Sequence, residues 1–355
     1  KQNTDIKNYG VKEFFRKLFL ITKILSRIPI YIIAIAPCVI IRLVSPWIVV
    51  RIEKMPSGSF GEFILQPAIY CCKKYLKIDQ PTKKYIDLVY ISYEDKIYNK
   101  QLAKMWKRKF NFLSGYILDP INKINRLIPG WKSHIINFGR QRDIDYMLEK
   151  HQALEFTTEE EVYGKKILSK FGLKDKDKFM ILCVRDKAYN LKKISAKFQD
   201  WSYHDYRHTD INKFTLAAEE LARRGYYVFR VGAVVEKSFY SNNPKIIDYA
   251  NSDLRSDFMD IYLGAKCSFC LSTGTGYQDI PRIFNKPIAL MELPFGILYL
   301  HSEKFLLMTK HHILKKEKRH LSLSEIFSHG VAYAIRSDIF EKEGISFSIK
   351  TMNSF

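Results

Sequence analysis

Leu271-Ser-Thr-Gly-Thr-Gly-Tyr-Gln-Asp-Ile-Pro-Arg282 carries an apolar run straight into a turn of small residues. A helix is expected from Tyr277, so its unpaired N–H groups and positive dipole end would face that turn. Gly274 and Gly276 would let an anion approach the backbone, and Ser272, Thr273 and Thr275 would add hydroxyl donors. This chemistry suits a diphosphate. The turn is not a Walker A loop, because no Gly-Lys-Ser/Thr follows. An ordinary strand-to-helix turn is the simpler alternative.

Other segments offer matching chemistry. Arg185 directly follows the apolar run 179–184, at a predicted carboxyl edge of a sheet, where open α/β folds bind ligands. Its guanidinium suits bidentate pairing with phosphate. Asp186 would orient Arg185 or hold a sugar or ribose hydroxyl; a structural Arg–Asp pair is the alternative. Tyr189, Arg207, Asp210, Arg230 and Gly232 are further candidates for the same ligand. Ser256 or Asp257 would cap a helix predicted over 257–265, with Arg255 just before it. In the first half, Ser57-Gly-Ser-Phe-Gly-Glu-Phe63 is a flexible turn leading into a helix. Ser57, Ser59 and Gly61 would line an acceptor site, and the Glu62 carboxylate would take a proton from an acceptor hydroxyl. A carboxylate that merely complements the helix dipole is the alternative.

These residues must be held by sheets. Strands are predicted at 47–52, 86–91, 179–184, 226–231, 267–271 and 287–291. Helices are predicted at 62–75, near 100–110, and at 211–224, 257–265 and 277–284, with a start signal at Thr157-Thr-Glu-Glu160. The alternation implies two open α/β domains with parallel sheets facing a cleft. We expect membrane-associating helices at 1–46, an N-terminal Rossmann-like acceptor domain at 47–154 and a C-terminal Rossmann-like donor domain at 155–330. A tail at 331–355 is expected to return to the N-terminal domain.

The N-terminus interleaves Lys12, Arg16, Lys17, Lys23 and Arg27 with apolar residues, then runs uncharged from Ile28 to Ile41. That run is shorter than the roughly 20 residues needed to span a bilayer, and Pro29 and Pro37 interrupt it. It reads as an in-plane anchor over 11–46; a hydrophobic helix buried against the protein is the alternative. With 58 basic and 37 acidic residues the chain carries +21, which favours an anionic partner. No RNA-binding or helix-turn-helix pattern stands out, so no nucleic-acid partner is expected. The six cysteines lack a disulfide-scaffold spacing. Reduced thiols are expected, with Cys267 and Cys270 packed in a buried strand. His311, His312 and His320, set among lysines, read as a solvated basic face, and an anionic-acceptor surface is the sharper alternative. Asp143-x-Asp145 and Asp175-x-Asp177 have metal-motif spacing, but neither follows a clear strand. No metal and no cofactor are expected.

Taken in order, Val184-Arg-Asp with Tyr189, Tyr206-Arg-His-Thr-Asp-Ile211, Arg223–Gly232, Ile247-Asp-Tyr-Ala, Arg255-Ser-Asp-Phe and Ser272–Gly276 resemble a family of bacterial glycosyltransferases of surface-carbohydrate gene clusters. The family pattern has Arg-Asn where this chain has Arg207-His208. Ser59-Phe-Gly-Glu62 and Ser272–Gly276 are also similar to the base-bearing turn and donor-phosphate loop of heptosyltransferases, with Glu62 replacing an Asp. The resemblance implies a GT-B fold and metal-independent, inverting transfer from a nucleotide-sugar to a lipid-linked or glycan acceptor. The expected setting is the cytoplasmic face of the inner membrane. A sugar-nucleotide epimerase or hydrolase of the same fold, and a non-enzymatic basic binding protein, are the alternatives.

Overall fold

A computed structural model describes residues 15, 18, 22, 28–93, 95, 97–139, 146–188, 202–295 and 302–348. In chain order the elements used below are α1 (Ile28–Val44), β1 (Val49–Lys54), α2 (Phe60–Tyr75), β2 (Tyr85–Tyr90), α3 (Lys100–Lys107), β3 (Asn111–Phe112) and α4 (Gly115–Asn125). The second half holds α5 (Thr158–Lys170), β4 (Phe179–Cys183), α6 (Thr215–Arg223), β5 (Tyr227–Arg230), β6 (Ile246–Ile247), α7 (Asp257–Lys266), β7 (Cys270–Ser272), α8 (Asp279–Ile283) and β8 (Ile288–Leu293). There follow β9 (Phe305–Thr309), β10 (His311–Leu314), β11 (Arg319–His320), α9 (Leu323–Ser328), α10 (Ser337–Lys342) and β12 (Ile345–Ser348).

The chain divides into two compact units: Lys1–Pro56 with Asp79–Lys96 and Phe110–Gly139, and the remainder. The first unit carries a parallel sheet, β1-β2-β3. Its core joins Ile52 and Tyr90 to Leu118 and Ile121 of α4 and to Ala34 and Cys38 of α1. The small residues Ala34 and Cys38, four apart, let α1 lie close on α4, and Arg42 Nη2 donates to Asn125 Oδ1 at 2.6 Å. The opposite side of α1 is bare: Ile33, Ile40 and Leu43 are exposed, as is Trp47 beyond its end (75%). No helix among the described residues is long and apolar enough to cross a membrane.

The second unit is built on a six-stranded, all-parallel sheet in the order β6-β5-β4-β7-β8-β9. Taking β4 as the first strand, this is the Rossmann order 3-2-1-4-5-6. Met180, Leu182 and Val228 pack against Ala218 and Ala222 of α6 on one face. At the predicted helix start, Thr157 and Glu160 form a capping box that opens α5. Cys267 and Cys270 are both buried, as their apolar run predicts.

Two boundaries differ from those read from sequence. Residues 57–78 and 97–109 cluster with the second unit, although they lie inside the first run of strands. Specific bonds hold them there. Trp106 Nε1 donates to Phe63 O (2.9 Å), Asn99 Nδ2 to Asp257 O (2.8 Å), and Arg108 pairs with Glu160 (2.8 Å). The described part of the C-terminal tail, residues 331–348, clusters with the second unit. Its strand β12 pairs antiparallel with β10, which also pairs with β11, over a core of Val331, Phe340 and Ile345.

Candidate functional site at the switch point of the parallel sheet

The chain leaves β4 toward β5 and β6, and leaves β7 in the opposite direction, toward β8 and β9. At such a reversal the loops at the carboxyl ends of the two central strands diverge and open a crevice. The two foremost sequence candidates, Arg185 and the Ser272–Gly276 turn, sit on these two loops. They are stitched together. Thr273 N donates to Cys183 O (3.1 Å), and Arg185 N donates to Thr273 Oγ1 (2.7 Å). Cys183 Sγ and Thr275 Oγ1 form a further hydrogen bond (2.9 Å). Gly274 adopts φ 82°, and a Cβ there would lie 2.5 Å from Leu293 Cδ2, so the turn requires glycine. Arg207 closes the turn by donating from Nη2 to Gly274 O at 3.0 Å.

The hydroxyls of the turn make bonds within and beside the loop. Ser272 Oγ bonds Gln278 and accepts from Gly274 N, Thr273 Oγ1 accepts from Arg185 N, and Thr275 Oγ1 caps Tyr277 N. These bonds tie the hydroxyls into the loop. The expected helix from Tyr277 is instead a 3-10 turn (Gly276–Gln278) followed by the short α8, which contains Pro281. Pro281 has no N–H for a continuous ladder.

Arg185 and Arg207 gather here with two histidines. Burial, then the neighbouring Arg207 charge, push Arg185 down to about 10. Burial, then Arg185 and Arg207, push His204 down to about 4. His208 is lowered by burial and then by Arg185. Arg185 Nε and His208 Nε2 are buried with no hydrogen-bond partner among the described residues. Like charges gathered in a half-buried crevice raise one another's energy and are relieved by an anion. Beside them lies a pocket of about 370 Å³ lined in part by Val184, Asp186, His208, Thr209, Asp210 and Arg230.

The other predicted donor residues are placed variously. Asp186 accepts from Ala188 N and Glu236 N, so it shapes the loop and does not pair with Arg185. Asp210 accepts from Asn212 N and pairs with Lys237 at 2.6 Å. Arg230 is buried against Asp248 (2.8 Å) and Lys237 O, and Arg255 is tied to Asp260 (2.7 Å). Both guanidiniums pair with internal carboxylates, and Arg230 also lines the pocket. Gly232 follows β5, where a Cβ would lie 2.7 Å from Val235 Cγ1. Ser256 caps α7 through Met259 N, Asp257 accepts from Lys100 N, and Tyr277 OH donates to Asp260 O. Tyr189, Asp143 and Asp145 lie outside the described residues.

The candidate base stands close to the turn. Ser59 caps α2 by accepting from Glu62 N at 3.3 Å, and Ser57 is buried. The Ser59 hydroxyl thus caps the helix end. Gly61 and Gly276 meet backbone to backbone. A Cβ on Gly61 would lie 3.1 Å from Gly276 Cα, and one on Gly276 would lie 3.0 Å from Gly61 N. This seam brings the first turn of α2, which carries Glu62, against the Ser272–Gly276 turn.

Sequence reading missed several groups. Lys310 is buried, with Nζ donating to Tyr206 O and His208 O. Glu292 is buried and accepts from Thr209 Oγ1 (2.9 Å). Asp279 sits beneath Gly61, its carboxyl pushed up to about 6 by burial, with Arg282 opposing. The basic face expected at 310–320 is partly internal. His312 is buried beside Phe340 and Phe347, while His311 and His320 stack on each other at 4.6 Å. Asp177 accepts from Lys174 N in an exposed turn. Among the described residues no group of three or more His, Cys, Asp or Glu could hold a metal ion.

No family model matches the chain, and no curated protein does. The chain resembles solved glycosyltransferases. The glycosyl transferase family 9 structure from Veillonella parvula is 12% identical, with 73% of this chain and 85% of that one covered and a TM-score of 0.42. The E. coli ADP-heptose LPS heptosyltransferase II is 10% identical, with 83% and 98% covered and a TM-score of 0.43. E. coli heptosyltransferase WaaC with ADP-2-deoxy-2-fluoro heptose is 9% identical, with 72% and 92% covered and a TM-score of 0.32.

Proposed function

We propose that this chain is a GT-B-type glycosyltransferase. It moves a sugar from a nucleoside-diphosphate donor to a lipid-linked or surface-glycan acceptor, with inversion and without a metal. The observation that carries the reading is the pair of cations Arg185 and Arg207 at the switch point, set beside the neutral imidazoles of His204 and His208 and closed on a glycine turn. As the anomeric C–O bond breaks, charge grows on the leaving diphosphate, and Arg185 and Arg207 stabilise it from fixed positions. Glu62 takes the proton of the acceptor hydroxyl while that oxygen attacks the opposite face of the anomeric carbon. A thermal-shift panel of UDP-, GDP-, ADP- and CMP-sugars tests this. One nucleotide series should raise the unfolding temperature equally with EDTA and with magnesium; no response to any donor would sink the reading.

The same reading places catalysis at the cytoplasmic face of an anionic membrane, where a lipid-linked acceptor resides. Support comes from the exposed aliphatic face of α1, the exposed Trp47 and the net charge of +21. Flotation with phosphatidylglycerol vesicles should recover the protein. Each large aliphatic side chain withdrawn from water contributes about 1.5–3 kcal/mol, so Ile33→Glu with Ile40→Glu should weaken binding at least about tenfold. Equal recovery of the double variant would exclude α1 as the docking face.

A further inference from the structure

Lys310 stands between β9 and β10 in a basic stretch of sequence, yet its side chain is only 6% exposed. Its N–H donates to Leu293 O at 3.0 Å, and its Nζ donates to the carbonyls of Tyr206 and His208, both at 3.0 Å. Those two carbonyls flank Arg207. Glu292 faces the same stretch from the bulge near the end of β8, where the register shifts between Met291 and Leu293. It is buried in the left-handed region (φ 55°), a conformation that non-glycine residues hold only where their surroundings enforce it. Its Oε2 accepts from Thr209 Oγ1, while Thr209 N donates to Arg185 O at 3.0 Å. The backbone from Tyr206 to Thr209 is thus fastened by Lys310, Glu292 and the Arg185 carbonyl. Arg207 projects from within that fastened stretch to Gly274 O.

A methionine would fill the space of Lys310 without the penalty of burying a charge. The lysine also adds positive charge behind a site already crowded with cations, which disfavours the empty site and favours an anionic ligand. We infer that Lys310, opposed by Glu292, is a positioning residue of the donor site. It holds the 206–208 backbone so that Arg207 clamps the Gly274 turn, and its charge strengthens the site's pull on an anion. The inference rests on the donor-site reading above.

Burial pushes Lys310 down to about 8, with Glu292 opposing and Lys213 and Arg207 reinforcing. The groups that face it are Glu292 from β8, Lys213 from the 3-10 turn Ile211–Phe214, Arg207 and His208 from the segment it binds, and the Phe347 ring of β12 at 5.9 Å. Lys310 is charged below that pH and neutral above it, so anion affinity should be full near pH 6.5 and fall as the pH rises through 8.

Sulfate is a suitable probe, because its charge is constant over this range. Its affinity for the full chain is measured by calorimetry from pH 6.5 to 9.5 in wild type, Lys310→Arg, Lys310→Met and Glu292→Gln. Wild type should lose about tenfold in affinity across the range. Lys310→Arg should hold its affinity, Lys310→Met should bind weakly at every pH, and Glu292→Gln should move the loss to lower pH. Should Lys310→Met fail to fold, the wild-type and Lys310→Arg profiles still give the answer. Sulfate binding with identical profiles in those two proteins would overturn the role of Lys310 alone. No sulfate binding by wild type at any pH would overturn the anion site together with it.

Discussion

Arg185→Met should weaken nucleotide-sugar binding at least about 100-fold, as expected when a buried charge-assisted contact is removed, without lowering the unfolding temperature of the ligand-free protein. The two halves of this expectation have one cause. Arg185 forms a crevice wall through its backbone: its N–H donates to Thr273 Oγ1 and its carbonyl accepts from Thr209 N. Those bonds survive a side-chain change. Its guanidinium, by contrast, is desolvated and repelled by Arg207, and its Nε has no partner among the described residues. Removing it relieves the empty protein and deprives the ligand. His204, held down to about 4 in part by Arg185, should titrate at higher pH in the variant, which histidine NMR would report. A variant that unfolds several degrees early yet binds donor normally would make Arg185 structural.

Glu62→Gln should lower kcat by about 1,000-fold, within the range seen when a general base is removed, while donor affinity stays unchanged. The amide keeps the shape of the side chain, and the Ser59 cap is to the backbone N–H of residue 62, so α2 should begin as before. In the proposed site, donor affinity belongs to Arg185 and Arg207, both between β4 and β5, and should not respond. The neighbouring carboxyl to test in parallel is Asp279, pushed up to about 6. If Glu62→Gln retains full activity while Asp279→Asn loses it, and the wild-type rate rises with pH through about 6, the base is Asp279 and not Glu62.

How far the sequence could be read follows from where its information lies. The apolar runs ending at Cys183, Arg230, Ser272 and Leu293 announce strands of a parallel sheet, and the strands lie within a few residues of their predicted positions. A residue that directly follows such a run must stand at the carboxyl edge, so Arg185 and Ser272–Gly276 were legible as candidates. That they meet was not: they are 88 positions apart, and only the strand order brings β4 beside β7. Arg230 and Arg255 look the same in sequence as Arg185, and their partners Asp248 and Asp260 exist only in the fold. Lys310 was hidden more thoroughly. A lysine among basic residues reads as solvated, and nothing local reveals that the loop of residues 206–208 covers it.

The glycine seam between Gly61 and Gly276 makes the first turn of α2 and the β7 loop mechanically one piece. Two backbones in direct contact have no side chain between them to compress or re-rotamer. In the proposed mechanism, the separation between the leaving diphosphate and Glu62 is then a fixed gauge, set by main-chain thickness. Donors that share a nucleotide but differ in the sugar would all present their anomeric carbon at the same distance from that carboxylate. Discrimination among sugars would have to come from walls other than this one, and a single methyl group inserted at either glycine would reset the gauge for every donor at once.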